Sequence, residues 1–387
     1  MGARNYANER PAFWPGKRAV RKGFTLLGFL GLLGFLVGFV RWEPAPYDIL
    51  FFLVIALFGP TFSWRSYQLL PIVLIVLFIL FHVPAMAVGL SVEPGRVLFY
   101  AFVTFYLSSI AIALMGLPKG AGVFLLRGYE VAALVSAFLG VLAFLRVPGL
   151  EALLWGDARV LAFFKDPNVF GAFLVPAFIL ALARWEQEGK HRLWTVLLLY
   201  LGILFSLSRG AWVNAAVSLL GWWFLRPWKR IWVFMVFVLL IGFTAVYTFV
   251  SPDNLVVQRL GLTSYDTDRF STQEQALRLA LERPLGYGPG LSPILLSYGT
   301  HNTYVHLLFE VGWIGFGVWF LFMGLSLVWA VYQAFRQRSL WHEIYFASLL
   351  GILVESLVID TLHWRHLWLL VGLIWAKYVP SLPHHPR

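Results

Sequence analysis

The chain has 387 residues, of which 60% are hydrophobic, 18% aromatic and only 13% charged, where a soluble domain is nearer one quarter charged. It has no cysteine, which excludes disulfides, thiolate metal sites and cysteine nucleophiles. The formal net charge of +11 invites a nucleic-acid reading, but in so apolar a chain the first explanation is a bias of Lys and Arg toward cytoplasmic loops.

Apolar runs of about 15 to 30 residues recur along the whole length, the mark of a polytopic helical membrane protein. Residues 1–22 carry six Lys/Arg and one acid, and an apolar span follows without a small-residue cleavage site. An uncleaved cytoplasmic N-terminal segment, 1–23, is therefore expected. Spans are expected to start near Phe24, Tyr47, Leu69, Val97, Gly128, Pro167, Leu193, Ala211, Ile231, Thr303, Glu343 and His366, about twelve in all. The short inner loops RPWKR (226–230) and FRQRS (335–339) carry bases and no acids. Both termini are then cytoplasmic, with 381–387 a short tail, and topology explains most of the net charge.

The outer segments are unequal. One, 251–302, holds Asp253, Asp266, Asp268, Glu274 and Glu282 with Arg259, Arg269, Arg278 and Arg283. A polar loop of that length is more often functional than idle. Inside it, Ser271 and Glu274 have capping-box spacing, which predicts a short amphipathic helix from Ser271 to just before Pro284. PLGYGPG (284–290) supplies a turn that permits close backbone approach, too short and wrongly placed to cradle a nucleotide. The outer segment 146–168 reads as an interfacial amphipathic piece with Trp155 near the headgroups. Asp266-x-Asp268 has the spacing of a glycosyltransferase metal pair, but Ser, Asp and Thr clusters are ordinary turn formers, and no metal is expected.

Ionisable residues gather at the outer ends of spans far apart in sequence: Asp166, Arg209, His301, His306, Glu310, Glu355, Asp360, His363, Arg365 and His366. The inner ends show only solvated basic loops and ordinary acids. Arg209 lies in a turn between two short apolar runs, each about 22 Å long as helix against a hydrocarbon core of about 30 Å, so the turn is expected to be recessed. Arg209 either snorkels to headgroups or holds an anion such as a diphosphate. Residues 302–332 read as one long apolar helix. Asn302, His306 and Glu310 share a stripe on it, and His306 with Glu310, one turn apart, is the cheaper pairing, a structural one. His301, at the helix start, has water access and a near-neutral unperturbed pKa. It reads as either a proton acceptor or a plain helix-start residue.

Four motifs occur in order: FKDPNVFGAFLVP (164–176), SLSRGAWVNAAVSLL (206–220), DRFSTQEQALRLALERPLGYGPG (268–290) and HNTYVHLLFEVGWIGF (301–316). Together they resemble the O-antigen ligase superfamily, which includes O-antigen ligases, O-antigen polymerases and bacterial protein O-oligosaccharyltransferases. The resemblance covers roughly 164–317. It implies an all-α, GT-C-like membrane glycosyltransferase with one large periplasmic loop, 251–302, containing short helices. N-terminal transmembrane helices (24–166) would precede a ligase-like domain (167–380) in a bacterial inner membrane. It further implies glycan transfer from an undecaprenyl-diphosphate-linked donor to a hydroxyl acceptor, such as a lipid A-core sugar, at the periplasmic face. The anomeric carbon would be inverted, without cofactor or nucleic acid. The family's histidine falls on His301, as acceptor activator. Its diphosphate-binding arginines fall on Arg209 and Arg269, with Arg278 as second choice. Asn302, His306, Glu310, Asp166 and Asn168 would support them.

A polymerase or a protein-glycosylating enzyme would share these motifs, although the chain ends soon after its last span where some protein-glycosylating members carry a soluble domain. The pattern of the shape–elongation–division peptidoglycan polymerases is not found. A flippase for a lipid-linked anion would place charges through the midplane and repeat its halves. Here the charges gather at one end and no repeat is seen.

Overall fold

The computed structural model describes residues 17–377 except 157, 190–191, 226–263, 297 and 338. The side chains of 17–24 and 264–266 also lie outside the description. The chain is mostly helical. In order come α1 (Lys17–Leu36), α2 (Pro46–Phe58), α3 (Leu69–Gly89), α4 (Pro94–Met115), α5 (Gly122–Phe144), α6 (Pro167–Glu188), α7 (Leu193–Phe205) and α8 (Arg209–Phe224). They are followed by α9 (Ser264–Glu282), α10 (Ser292–Leu295), α11 (Thr303–Glu310), α12 (Gly312–Gln337), α13 (Leu340–Glu355) and α14 (Arg365–Trp375).

Helix starts fall close to the expected ones. Pro46, Pro94 and Pro167 each open a helix, where their missing N–H costs nothing and their fixed φ is already helical. Among the described residues, five helices are long and apolar enough to cross a membrane: Ser66–Gly89, α4, α5, α6 and α12. Thr25–Leu36, Pro46–Thr61, α7 and α14 are apolar but shorter. The described residues thus include five full-length spans, against about twelve expected from the sequence over the whole chain. The span expected at Ile231 lies outside the described residues.

Connections alternate between two ends of the bundle. At one, the Val40 N–H donates to the Phe163 carbonyl at 3.0 Å and the Thr303 N–H to the Ser356 carbonyl at 2.9 Å. At the other, buried Gln68 donates to the Met115 carbonyl at 2.8 Å and the Trp375 carbonyl at 2.6 Å. Helices cross closely on small residues. A Cβ on Gly34 would lie 1.9 Å from the Leu125 carbonyl oxygen, and one on Gly128 would lie 1.9 Å from that of Gly31. Backbone contact of this kind ties α1 to α5.

Four expectations are corrected. Segment 146–168 contains a two-residue antiparallel pair, Leu154–Trp155 with Arg159–Val160, turned at Gly156 with φ +58°, so the fold is not strictly all-α. The loop helix begins at Ser264, not Ser271. Ser271 is inside it and bonds back to the Asp268 carbonyl at 2.9 Å. The helix expected over 302–332 breaks at Val311, because Gly312 adopts φ +82° and packs on the 284–286 backbone. A Cβ at Gly312 would lie 2.3 Å from the Pro284 carbonyl oxygen. The end of the bundle opposite α11 is not free of buried charge, since Arg184 is ion-paired with Glu130 there, both mostly buried.

Candidate active site

The N-terminus of α6 is set by DPN. Asp166 is the N-cap, its carboxylate accepting the Asn168 N–H at 2.6 Å and satisfying one of the helix's orphan donors. The Asn168 side-chain oxygen accepts from Arg159 at 3.0 Å, and Arg159 also donates to the Ser206 carbonyl at 3.2 Å. Arg159 therefore joins the start of α6 to the serine–arginine–glycine turn. That turn passes through Leu207 at φ +49° and is capped by Ser208, whose hydroxyl accepts the Ala211 N–H at 3.2 Å. Arg209 is the first residue of α8 and is half-buried. Beneath it, a Cβ on Gly210 would lie 2.9 Å from Glu355 Oε1. Glu355 is fully buried and accepts from Asn214 at 2.7 Å.

Asn302 caps α11, its side-chain oxygen accepting the Tyr304 and Val305 N–H groups at 3.0 and 3.1 Å. Its amide nitrogen donates to the Leu357 carbonyl at 2.9 Å. His301 precedes it at φ +46°, a left-handed conformation that costs a non-glycine residue of order 1 kcal/mol and persists where neighbours impose it. Here the bonds of Asn302 and Thr303 to the chain after α13 impose it. Arg269, on α9, donates to the Val358 carbonyl and lies 3.5 Å from the His301 carbonyl oxygen. Burial holds the His301 imidazole below its ordinary pKa, and the Arg269 cation lowers it further. Asp360 and Asp166 pull in the opposite direction. A neutral ring at physiological pH follows, able to accept a proton.

Below this rim the polar groups close on one another. His306 Nε2 lies 3.0 Å from Glu310 Oε2, and its Nδ1 lies 2.9 Å from Asp360 Oδ2. The expected His306–Glu310 pairing is present, with Asp360 as a further partner. Glu310 also accepts the Gly290 N–H and, at 2.8 Å, the Ser292 N–H. The backbone donors of GYGPG thus hold a carboxylate of the protein itself. Arg278 is apart from these groups. It is ion-paired with Glu274 on the exposed side of α9, nine residues and about 13 Å along the axis from Arg269, on the opposite face.

The structure brings Asp166, Arg269 and His301 together and links Arg209 and Asn168 to them through Arg159 and the α13 end. It leaves Arg278 outside. Arg159 and Asp360 join the site without being expected from the sequence. Asp360 is one of the outer ionisable groups, but nothing local pairs it with His306, and Arg159 lies in a segment whose pattern reads only as interfacial. Among the described residues, no group of three or more His, Cys, Asp or Glu could hold a metal ion.

Residues 194–320 match the O-antigen ligase family model. The match runs from α7 into α12 and so includes the Arg209 turn, α9 and α11. It supports the O-antigen ligase superfamily that the four motifs resemble, and with it a membrane glycan-handling enzyme of the ligase and polymerase group. No curated protein matches the chain. Asp166, Asn168, Arg159, Glu355 and Asp360 lie outside the ligase-family segment and reach it only through the fold.

Proposed function

We propose that this protein transfers a glycan from an undecaprenyl-diphosphate-linked donor to a hydroxyl acceptor, in the first instance a lipid A-core sugar. The reaction would take place at the periplasmic face of a bacterial inner membrane, with both termini cytoplasmic. The observation that carries the reading is His301: a half-buried imidazole held in a left-handed turn, lowered in pKa beside Arg269, within a segment matching the ligase family. The acceptor hydroxyl gives its proton to His301 as its oxygen attacks the anomeric carbon. The bond from that carbon to the diphosphate oxygen breaks on the opposite face, inverting the centre. The leaving lipid diphosphate takes the electron pair, and Arg209 and Arg269 stabilise the charge it gains. Diphosphate neutralised in this way is a competent leaving group, so the scheme requires no metal or nucleotide.

The test uses purified protein in lipid with a lipid-diphosphate-linked glycan and candidate acceptors. Glycosylated lipid A-core, formed without ATP and in the presence of EDTA, is the expected product. Elongation of the lipid-linked glycan alone would make the protein a polymerase, and glycosylated protein would make it a protein transferase. Turnover that stops with EDTA would overturn the metal-free scheme.

A further inference from the structure

Helix α9 packs one side against α11 through Ala276, which clusters with Leu296, Val305 and Phe309. It leaves a second apolar edge exposed, with no partner among the described residues. Phe270, Leu277 and Leu281 are 60%, 42% and 66% exposed, and helical spacing puts them within about 40° of one another. The edge does not stop at the end of the helix. Leu285 follows at 51% exposure. Trp313, whose indole donates to the Ala280 carbonyl at 2.9 Å, and Ile314 carry it onto α12. From there exposed Phe320, Leu321 and Val328 continue it. Because α12 is long and apolar enough to cross a membrane, its exposed apolar side is the surface that meets hydrocarbon. The edge of α9 is continuous with that surface, and a tryptophan marks the junction, as tryptophan does at membrane boundaries. Glu274 borders this edge, about 20° round the helix from Leu281, and exposed Arg278, Glu282 and Gln275 follow it round toward the opposite side.

We propose that α9 is an interfacial helix, with Phe270, Leu277 and Leu281 inserted among the acyl chains of the adjoining leaflet. Glu274 and Arg278 then sit at headgroup level. The lipid contact stands independently of the glycan-transfer reading. It also fixes the helix that carries Arg269, so the leaflet helps hold that arginine at the His301 loop.

The absence of native cysteine makes the test direct. Leu281→Cys and Gln275→Cys are each labelled with an environment-sensitive fluorophore in lipid nanodiscs. Quenching is then measured with lipids bearing a nitroxide high on the acyl chain and with aqueous iodide. At Leu281→Cys, lipid quenching at least about twofold stronger than at Gln275→Cys, with weaker iodide quenching, is expected for a shallow interfacial helix. Iodide quenching as strong at Leu281→Cys as at Gln275→Cys would overturn the proposal, since the edge would face water. Protection of Leu281→Cys from both quenchers would also overturn it, since protein would cover the edge.

Discussion

Two layers of polar residues lie at the end of the bundle that carries α11, and they differ in how completely they are used. The floor is closed. Asp48 accepts from Arg365 at 2.8 and 2.7 Å, Tyr106 at 2.7 Å and the Ala45 N–H at 2.8 Å, and His306 bridges Glu310 and Asp360. The rim is half-buried: Asp166, Asn168, Arg159, Arg209, Arg269 and His301 are drawn together by helix caps and turns. A closed constellation has spent its hydrogen-bonding capacity on the fold. A half-buried one keeps a face toward incoming molecules, and this is where chemistry is expected.

The comparison breaks most visibly at the two histidines. His301→Ala should lower transfer by about 10²–10⁴-fold, the usual worth of a positioned proton acceptor, with an unchanged melting temperature. Full activity of that variant would remove His301 from the reaction. His306→Ala should do the reverse in kind. It leaves Glu310 and Asp360 without the ring between them, and breaking a buried ionic contact costs about 3–5 kcal/mol. A clear drop in thermal midpoint is therefore expected. Were His306→Ala to melt normally yet lose transfer, the division into floor and rim would fail.

A smaller effect sharpens the electrostatics of the rim. Burial and the Arg269 cation hold the His301 pKa below its ordinary value, so the neutral base persists as pH falls. Arg269→Gln removes the cation and lets the pKa rise. The acid limb of the kcat/KM profile should then move to higher pH, in addition to any loss in donor use. A limb that stays in place, or moves to lower pH, would show that Arg269 does not act on the titrating group.

Much of the fold is legible in the sequence, because helix boundaries are written locally. Proline at the first helical position, Asp166, Ser208 and Asn302 as caps, and apolar length all act within a few residues. The pair His306 and Glu310 is legible for the same reason. Asp360 is not, because it reaches His306 from a loop fifty-odd residues on, brought there by the bonds of Asn302 and Thr303 to the 356–361 segment. Arg159 escapes for a similar reason, since its partners are a cap at the start of α6 and a carbonyl in the turn before α8. The break at Gly312 escapes because apolar periodicity runs unbroken across it. What breaks the helix is the approach of the 284–286 backbone, which no local pattern announces.

Arg278 gives the smallest effect and the finest test of the comparison. It and Arg269 lie on one helix, and motif spacing alone allows either to hold the diphosphate. Geometry separates them: Arg269 reaches the Val358 carbonyl and the His301 loop, whereas Arg278 has a side chain 76% exposed and paired with Glu274 at i, i+4. Exposed pairs of this kind contribute little to stability, and a cation that far round the helix has no path to a diphosphate beside His301. Arg278→Ala should therefore leave the melting temperature and the donor KM close to those of the parent protein, whereas Arg269→Ala raises the KM or lowers kcat. Equal losses from the two substitutions would mean that α9 turns by half a revolution when donor binds, and the rim would then have to include its other face.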